Sequence, residues 1–288
     1  MISDRQFTPQ PTADGSYTFF SAEFQETFHS SFGAKQEAEV RYIQPCQIEQ
    51  LAKQQSTIRL LDICYGLGYN SAAALEAVWS VNPQCRIELV ALELTADVPR
   101  QAIAQNLLSQ WQFSSQLLAE LATKSSVCRE FLTAELIFGD ARQTIQAISD
   151  RDWQADAIFL DPFSPPKCPQ LWTIEFIEQV VRCLSPMGRL ATYSCSAAVR
   201  TALLSAGLHL GSVTGAGRKS PGTICSFVYN SLPKLSVRER EHLQTRAAIP
   251  YRDRTFQDSP EQIIDNRQRE QQTSSLESTS KWRKRWLM

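Results

Sequence analysis

The stretch Leu60-Leu61-Asp62-Ile63-Cys64-Tyr65-Gly66-Leu67-Gly68 constrains this chain more than any other. Leu60, Leu61, Ile63 and Cys64 form a short apolar run, the pattern of a parallel strand covered on both faces. Gly66 and Gly68 follow; glycine tolerates positive φ and lets a ligand approach the backbone. From Ser71 the pattern turns helical, through Ala72-Ala73-Ala74-Leu75-Glu76-Ala77-Val78-Trp79. Strand, glycine turn and helix in that order aim helix N–H groups at whatever lies on the turn.

A dinucleotide site would want a third glycine where helix and strand pack closely, and that position is Ser71. The turn instead carries Asp62 ahead of its glycines. Asp62-x-x-x-Gly66-x-Gly68 resembles the first motif of class I S-adenosylmethionine (SAM) methyltransferases. The resemblance implies that Asp62, Tyr65, Gly66, Gly68 and Asn70 hold the methyl donor. A glycine turn without a ligand is the plain alternative.

More strands follow. Ile87–Glu93 reads as a second buried strand ending in an acid, where nucleoside-binding sheets hold ribose hydroxyls. Residues 98–124 read as helical. Ala134–Phe138 is a third strand, ending in Gly139-Asp140. The family likeness assigns Asp140 to the adenine amino group, and its position also suits a helix N-cap over 142–148. Ala155–Leu160 is a fourth strand and runs into Asp161-Pro162-Phe163-Ser164-Pro165-Pro166-Lys167-Cys168-Pro169-Gln170-Leu171-Trp172-Thr173. Prolines cannot continue a ladder, so this is a stiff loop at the carboxyl edge of the sheet. A helix (174–184), a strand (189–193), a helix (197–205) and two closing strands (208–213 and 223–229) complete the reading. The expectation is an α/β, Rossmann-like class I fold: seven strands, mostly parallel, the last antiparallel. Asp14-Gly15 predicts a small N-terminal hairpin. The predicted organisation is a β-containing cap (1–45), a methyltransferase domain (46–232) and a polar, partly flexible extension (233–288). Gln271–Ser275 reads as flexible.

A net charge of −1 decides nothing about a polyanionic partner, so local charge has to. Lys281-Trp282-Arg283-Lys284-Arg285-Trp286 is basic and aromatic, which suits RNA, or else a helix that docks its tryptophans on the body. The eight cysteines contain no C-x-x-C pair and read as reduced thiols. His29, His209 and His242 have no metal spacing, so no metal is expected. There is no apolar run of 18 residues and no leader-like segment, so a cytoplasmic protein without a membrane span is expected.

With the fourth strand in place the chain resembles one family closely. Asp161-x-Phe163-Ser164-Pro165-x-Lys167-x-Pro169-x-Leu171-Trp172 is similar to the D-x-F-[SA]-P-x-K-N-P-x-[LM]-W signature of the MnmC-type tRNA methyltransferases. Phe24-x-x-Thr27-Phe28-His29-Ser30, the glycine turn, Gly215-Ala216-Gly217-Arg218-Lys219 and Ile249-Pro250-Tyr251-Arg252-Asp253 match further family segments in order. Cys168 and Pro162 depart from the pattern. The resemblance implies SAM-dependent methylation of the 5-aminomethyl group of the tRNA wobble uridine. It implies the anticodon stem-loop as partner and a monomer. Residues 231–288 are too short for the FAD-dependent oxidoreductase found fused in some members, so no FAD is expected.

The acceptor would be a primary amine, protonated in neutral water, which must lose a proton before attack. Asp161 is the candidate base. Phe163 would stack on the uracil, and Lys167, Arg218 and Lys219 are candidates for tRNA phosphates. The alternatives are a SAM-dependent methyltransferase of a small amine or protein amine, and a non-catalytic RNA-binding scaffold.

Overall fold

The computed structural model describes residues 7–214, 220–229 and 232–286. The chain opens with β1 (Pro9–Pro11), β2 (Tyr17–Ser21) and β3 (Glu26–Thr27), a three-stranded antiparallel sheet. The hairpin predicted around Asp14-Gly15 is present, with Pro9 opposite Phe19 and Pro11 opposite Tyr17. Then come α1 (Ala34–Ala38), a π-helical turn (Glu39–Ile43) and α2 (Ile48–Gln54).

The main body runs β4 (Thr57–Ile63), α3 (Tyr69–Val81), β5 (Arg86–Glu93), α4 (Asp97–Ala104), α5 (Ser115–Lys124), β6 (Ser126–Arg129) and β7 (Leu132–Phe138). It continues through α6 (Ala141–Ser149), β8 (Ala155–Leu160), α7 (Ile174–Arg182), β9 (Leu184–Thr192), α8 (Ala197–Ser205), β10 (His209–Val213) and β11 (Gly222–Ser226). The sheet order is β10-β11-β9-β8-β4-β5-β7-β6. β7, β5, β4, β8 and β9 are parallel, and β11 inserts antiparallel beside β9. To the seven expected strands the structure adds an eighth, β6, an antiparallel edge strand on β7.

Strand alternation builds two cores. Leu60, Leu89 and Phe159 face a layer holding Ile48, Leu75, Val78 and Leu118. Leu61, Val90 and Ile158 face Ile145, Val180 and Val199. Because both faces are covered, β4 and β8 read as continuous apolar runs. The helical stretch expected over 98–124 forms two helices, α4 and α5. Asn106 takes a positive φ of 57° between them, and Trp111 is buried there against Tyr69.

The tail departs furthest from its reading. It forms α9 (Val237–His242), α10 (Pro260–Thr273) and α11 (Thr279–Trp286). Gln271 lies inside α10 and bonds the Arg246 carbonyl at 2.8 Å, so the first three residues of the segment expected to be flexible are helix, and Ser274 and Ser275 follow its end. α10 shows no apolar period because a Ser259/Gln262 capping box, Pro260 at its start and Arg267 bonds to two backbone carbonyls hold it. Ile263 is its one buried side chain.

Candidate active site

After Ile63 the backbone turns abruptly. Cys64 adopts φ of +68°, Gly66 +56° and Gly68 +87°. A non-glycine residue in the left-handed region is uncommon, so Cys64 marks the sharpest bend. The Leu92 carbonyl accepts from both the Cys64 and Tyr65 N–H groups, and Gly66 N–H donates to Glu93 Oε2 at 2.8 Å. The ends of β4 and β5 are thereby tied together. At Gly68 a Cβ would fall 2.5 Å from the Tyr65 hydroxyl, so glycine is required for space as well as for φ.

A cleft of about 500 Å³ opens at this carboxyl edge. Four acids predicted from sequence were Asp62, Glu93, Asp140 and Asp161; the structure brings the last three to its wall, with Gly66 and Phe163. Asp62 stays fully buried beneath the turn. It accepts from the Ser71 hydroxyl at 2.7 Å, and its Oδ1 has no protein partner. Burial pushes its pKa up to about 7 against the Ser71 hydrogen bonds, which pull down. Tyr65 is buried too, with an unpartnered hydroxyl, and neither Tyr65 nor Gly68 is among the lining residues.

Glu93 collects backbone donors: Leu94 N–H at 2.8 Å on Oε1, besides Gly66 on Oε2. Desolvation raises its pKa and these bonds oppose the rise. Asp140 is the N-cap of α6, accepting from Arg142 N–H at 2.9 Å, and it also carries the Arg142 guanidinium at 2.8 Å. Arg142 in turn bonds the buried Asp253 at 2.9 Å. The tail segment 249–253 therefore braces the cleft: Tyr251 bridges to Thr173, and Arg252 pairs with Glu175.

Asp161, on the cleft wall, is held by two side chains. Its Oδ1 accepts from the Tyr42 hydroxyl at 2.5 Å, and its Oδ2 from Asn70 Nδ2 at 2.9 Å. Asn70 is thus turned to Asp161 and does not line the cleft. Tyr42, which sequence reading missed, is fully buried on the π-helical turn. π-turns re-aim a side chain and recur at functional sites. Desolvation pushes the Asp161 pKa up to about 8; Glu37 and Asp62 push the same way, and the Tyr42 and Asn70 bonds pull it down.

The proline-rich loop is clamped from both sides. Phe163 stacks on Phe24 with centroids 4.3 Å apart and meets Phe28 edge-on at 4.9 Å. Glu26 accepts from Ser164 N–H at 3.0 Å and from its hydroxyl. Tyr193 and Trp172 donate to the Pro162 and Phe163 carbonyls. The cap therefore contributes Glu23, Phe24, Glu26, Phe28 and Glu37 to the wall. These acids were not anticipated; for Glu23 and Glu26 the available signal was their interleaving with Phe24 and Phe28. Lys167 is exposed and is not a lining residue. Arg218 and Lys219 lie outside the described residues.

The tail reading also resolves. Trp282 is 6% exposed and stacks on His242 at 4.3 Å, while Trp286 donates to Glu241. Trp282 is an anchor, not a free stacking platform. The eight cysteines are free thiols. Among the described residues no helix is long and apolar enough to cross a membrane.

Comparison with known proteins agrees with this geometry. Residues 99–227 match a family described as S-adenosyl-L-methionine-dependent methyltransferase. The crystal structure of MNMC2 from Aquifex aeolicus superposes with a TM-score of 0.81 at 30% identity, over 95% of this chain and 87% of that one. The uncharacterized protein MJ0670 of Methanocaldococcus jannaschii is 30% identical over 89% of this chain and 70% of its own length. The tRNA 5-methylaminomethyl-2-thiouridine biosynthesis bifunctional protein MnmC of Acidovorax sp. is 29% identical over 69% of this chain. The chain spans only 32% of that longer protein.

Proposed function

The chain belongs to the MnmC-type family of S-adenosyl-L-methionine-dependent methyltransferases, and on that premise we propose that it methylates the 5-aminomethyl nitrogen of the tRNA wobble uridine. The product would be 5-methylaminomethyl-2-thiouridine. The observation that carries this reading is the charge of the cleft. Glu23, Glu26, Glu37, Glu93, Asp140 and Asp161 line it, and among the described residues no Lys, Arg or His does; Arg142 and Arg41 offset Asp140 and Glu37 from behind, and Asp161 adds charge only once deprotonated. Such a wall favours cationic reactants, a sulfonium and an ammonium, and disfavours phosphate.

The residues present fit SAM. Glu93 keeps lone pairs for ribose hydroxyls, and Asp140 has those left by Arg142 for the adenine amino group. Leu94, Val98, Ala141 and Leu171 supply apolar wall for a purine. Bound SAM supplies an electrophilic methyl group on a sulfonium. The protein's own part is orientation and proton removal. In-line displacement rewards fixed geometry, and Asp161 is fixed by two side chains. Its carboxylate accepts one proton from the substrate ammonium. That leaves the amine a lone pair with which it would take the methyl group as the donor's methyl–sulfur bond broke, and Asp161 would pass its proton to solvent. An Asp161 pKa near 8 matches that task, because a base works best when its pKa lies close to the operating pH. Phe163 and the prolines exclude water and offer a face for the uracil.

The test is methyl transfer from labelled SAM to tRNA bearing unmethylated 5-aminomethyl-uridine, followed by nucleoside analysis. Label in methylaminomethyl-uridine is expected. SAM binding without transfer to that tRNA would refute the acceptor and move the reading to a small or protein amine.

A further inference from the structure

An acidic cleft cannot itself hold a polyanion, so phosphate contacts have to lie beyond its lining. We propose that the exposed face of α11, with Arg238 of α9, is where the phosphate backbone of the RNA substrate docks; the inference rests on the RNA-methylating reading above. α11 carries Lys281, Arg283, Lys284 and Arg285 and no acid. Arg285 is spent on Glu277 and Glu241. Lys281, Arg283 and Lys284 are exposed, and Arg283, Lys284 and Arg238 make no ion pair among the described residues.

The helix is built to present them. Trp282 is buried on His242, and Arg238 lies 5.6 Å from the Trp282 ring. Trp286 and Arg285 are both bonded to Glu241. The helix is therefore fixed on α9 by its aromatic side chains, and the lysines and Arg283 are left to solvent. His242 reports the local field. Burial lowers its pKa first, and Arg200, Arg283 and Arg238 lower it further. That corner is positive.

It also lies on the right edge of the sheet. Glu239 of α9 bonds Ser212 at 2.7 Å and Arg200 at 2.8 Å. Ser212 sits opposite Thr223, and Thr223 opposite Thr192. Tyr193, the next residue, lines the cleft. Two strand spacings, about 10 Å, separate Ser212 from Thr192. A nucleotide entering the acidic cleft thus leaves its flanking backbone facing the basic corner. The two surfaces sort the substrate: cationic reacting groups inside, phosphates outside.

The test is binding of a tRNA transcript by fluorescence anisotropy at several salt concentrations. Wild type is compared with Lys281→Gln/Arg283→Gln/Lys284→Gln. The triple variant is expected to bind about ten-fold or more weakly at low salt. The slope of log affinity against log salt should flatten by about two, since each released phosphate contact contributes roughly 0.7–0.9. SAM affinity by calorimetry should be unchanged, and Lys281→Arg/Lys284→Arg should bind like wild type. Methyl transfer should show a raised KM for tRNA and an unaltered kcat. Equal affinity and slope in wild type and the triple variant would overturn the proposal, as would absence of tRNA binding by the intact chain. A flattened slope without any transfer to the 5-aminomethyl tRNA would uphold the surface and defeat the acceptor assignment instead. Preferential capture of an acidic protein with no loss of tRNA affinity would overturn it in favour of a protein partner.

Discussion

Tyr42→Phe removes a single hydroxyl and leaves the ring packed edge-on against Phe159. Tyr42 is a reliable donor: burial, and the charge of Asp161 next to it, hold its phenol protonated far above the ordinary range. Its bond stabilises the Asp161 carboxylate, so its loss raises the Asp161 pKa. A hydrogen bond to a charged group is worth about 1.5–3 kcal/mol, or roughly one to two pKa units. Starting from about 8, roughly a tenth of Asp161 is carboxylate at pH 7 in the free protein. The variant would hold roughly a hundredth to a thousandth. Expected kcat/KM at pH 7 therefore falls roughly ten- to a hundred-fold, and the deficit closes as pH rises past the shifted limb. The assay is kcat/KM for labelled methyl transfer between pH 6 and 10. The acceptor amine titrates in both proteins, so the difference between the two profiles isolates Asp161. A loss of the same size at every pH would refute the reasoning and leave Tyr42 a packing residue.

Other expectations follow from the same geometry. Asp161→Asn should abolish turnover yet raise thermal stability, because a carboxyl whose folded pKa is raised loses folding stability as pH climbs from about 4 through 8; melting scans at pH 5 and pH 8 should show the gain at pH 8. Gly68→Ala should weaken SAM binding and cost about 1–3 kcal/mol, since a Cβ there meets the Tyr65 ring at positive φ; unchanged denaturant midpoint and SAM affinity would contradict it. Glu239→Gln should destabilise the chain by about 2–3 kcal/mol by leaving Arg200 buried without its counter-charge. Glu239 is held down to about 2 by Ser212, Ser236 and Arg200 against desolvation, so wild type should lose this contribution as pH falls from about 5 towards 2 and the variant should not.

What could be read from sequence was what is local. The β4 run, the glycines and the Asp161 loop each carry their signal within a dozen residues. Glu93 and Asp140 were legible because strand ends set their place. Tyr42 was not legible: it meets Asp161 across 119 residues, and only the π-helical turn aims it there. Asn70 looked like part of the glycine turn, yet the first turn of α3 points it at Asp161. Asp62 was read as a ligand residue and lies under the turn, bonded to Ser71. The acids of the cap had no periodicity to betray them, since a turn (Glu23), a two-residue strand (Glu26) and a five-residue helix (Glu37) carry them. α10 was misread because caps and side-chain-to-backbone bonds hold it where an apolar stripe would normally be sought.

The ties between cap and loop have a further consequence for how the enzyme comes into being. Tyr42 reaches Asp161 over 119 residues, and Glu26 reaches Ser164 over 138. Closing loops of that length is entropically costly, and distant contacts tend to form after local ones. During synthesis the cap emerges first and finds its partners only once β8 has been made. The part of the cleft built by β4, β5 and the glycine turn, where SAM is proposed to bind, is assembled from nearer segments and matures earlier. A nascent or refolding chain should therefore gain affinity for SAM before it gains the power to transfer a methyl group, and stopped-flow refolding monitored by both signals would show the lag.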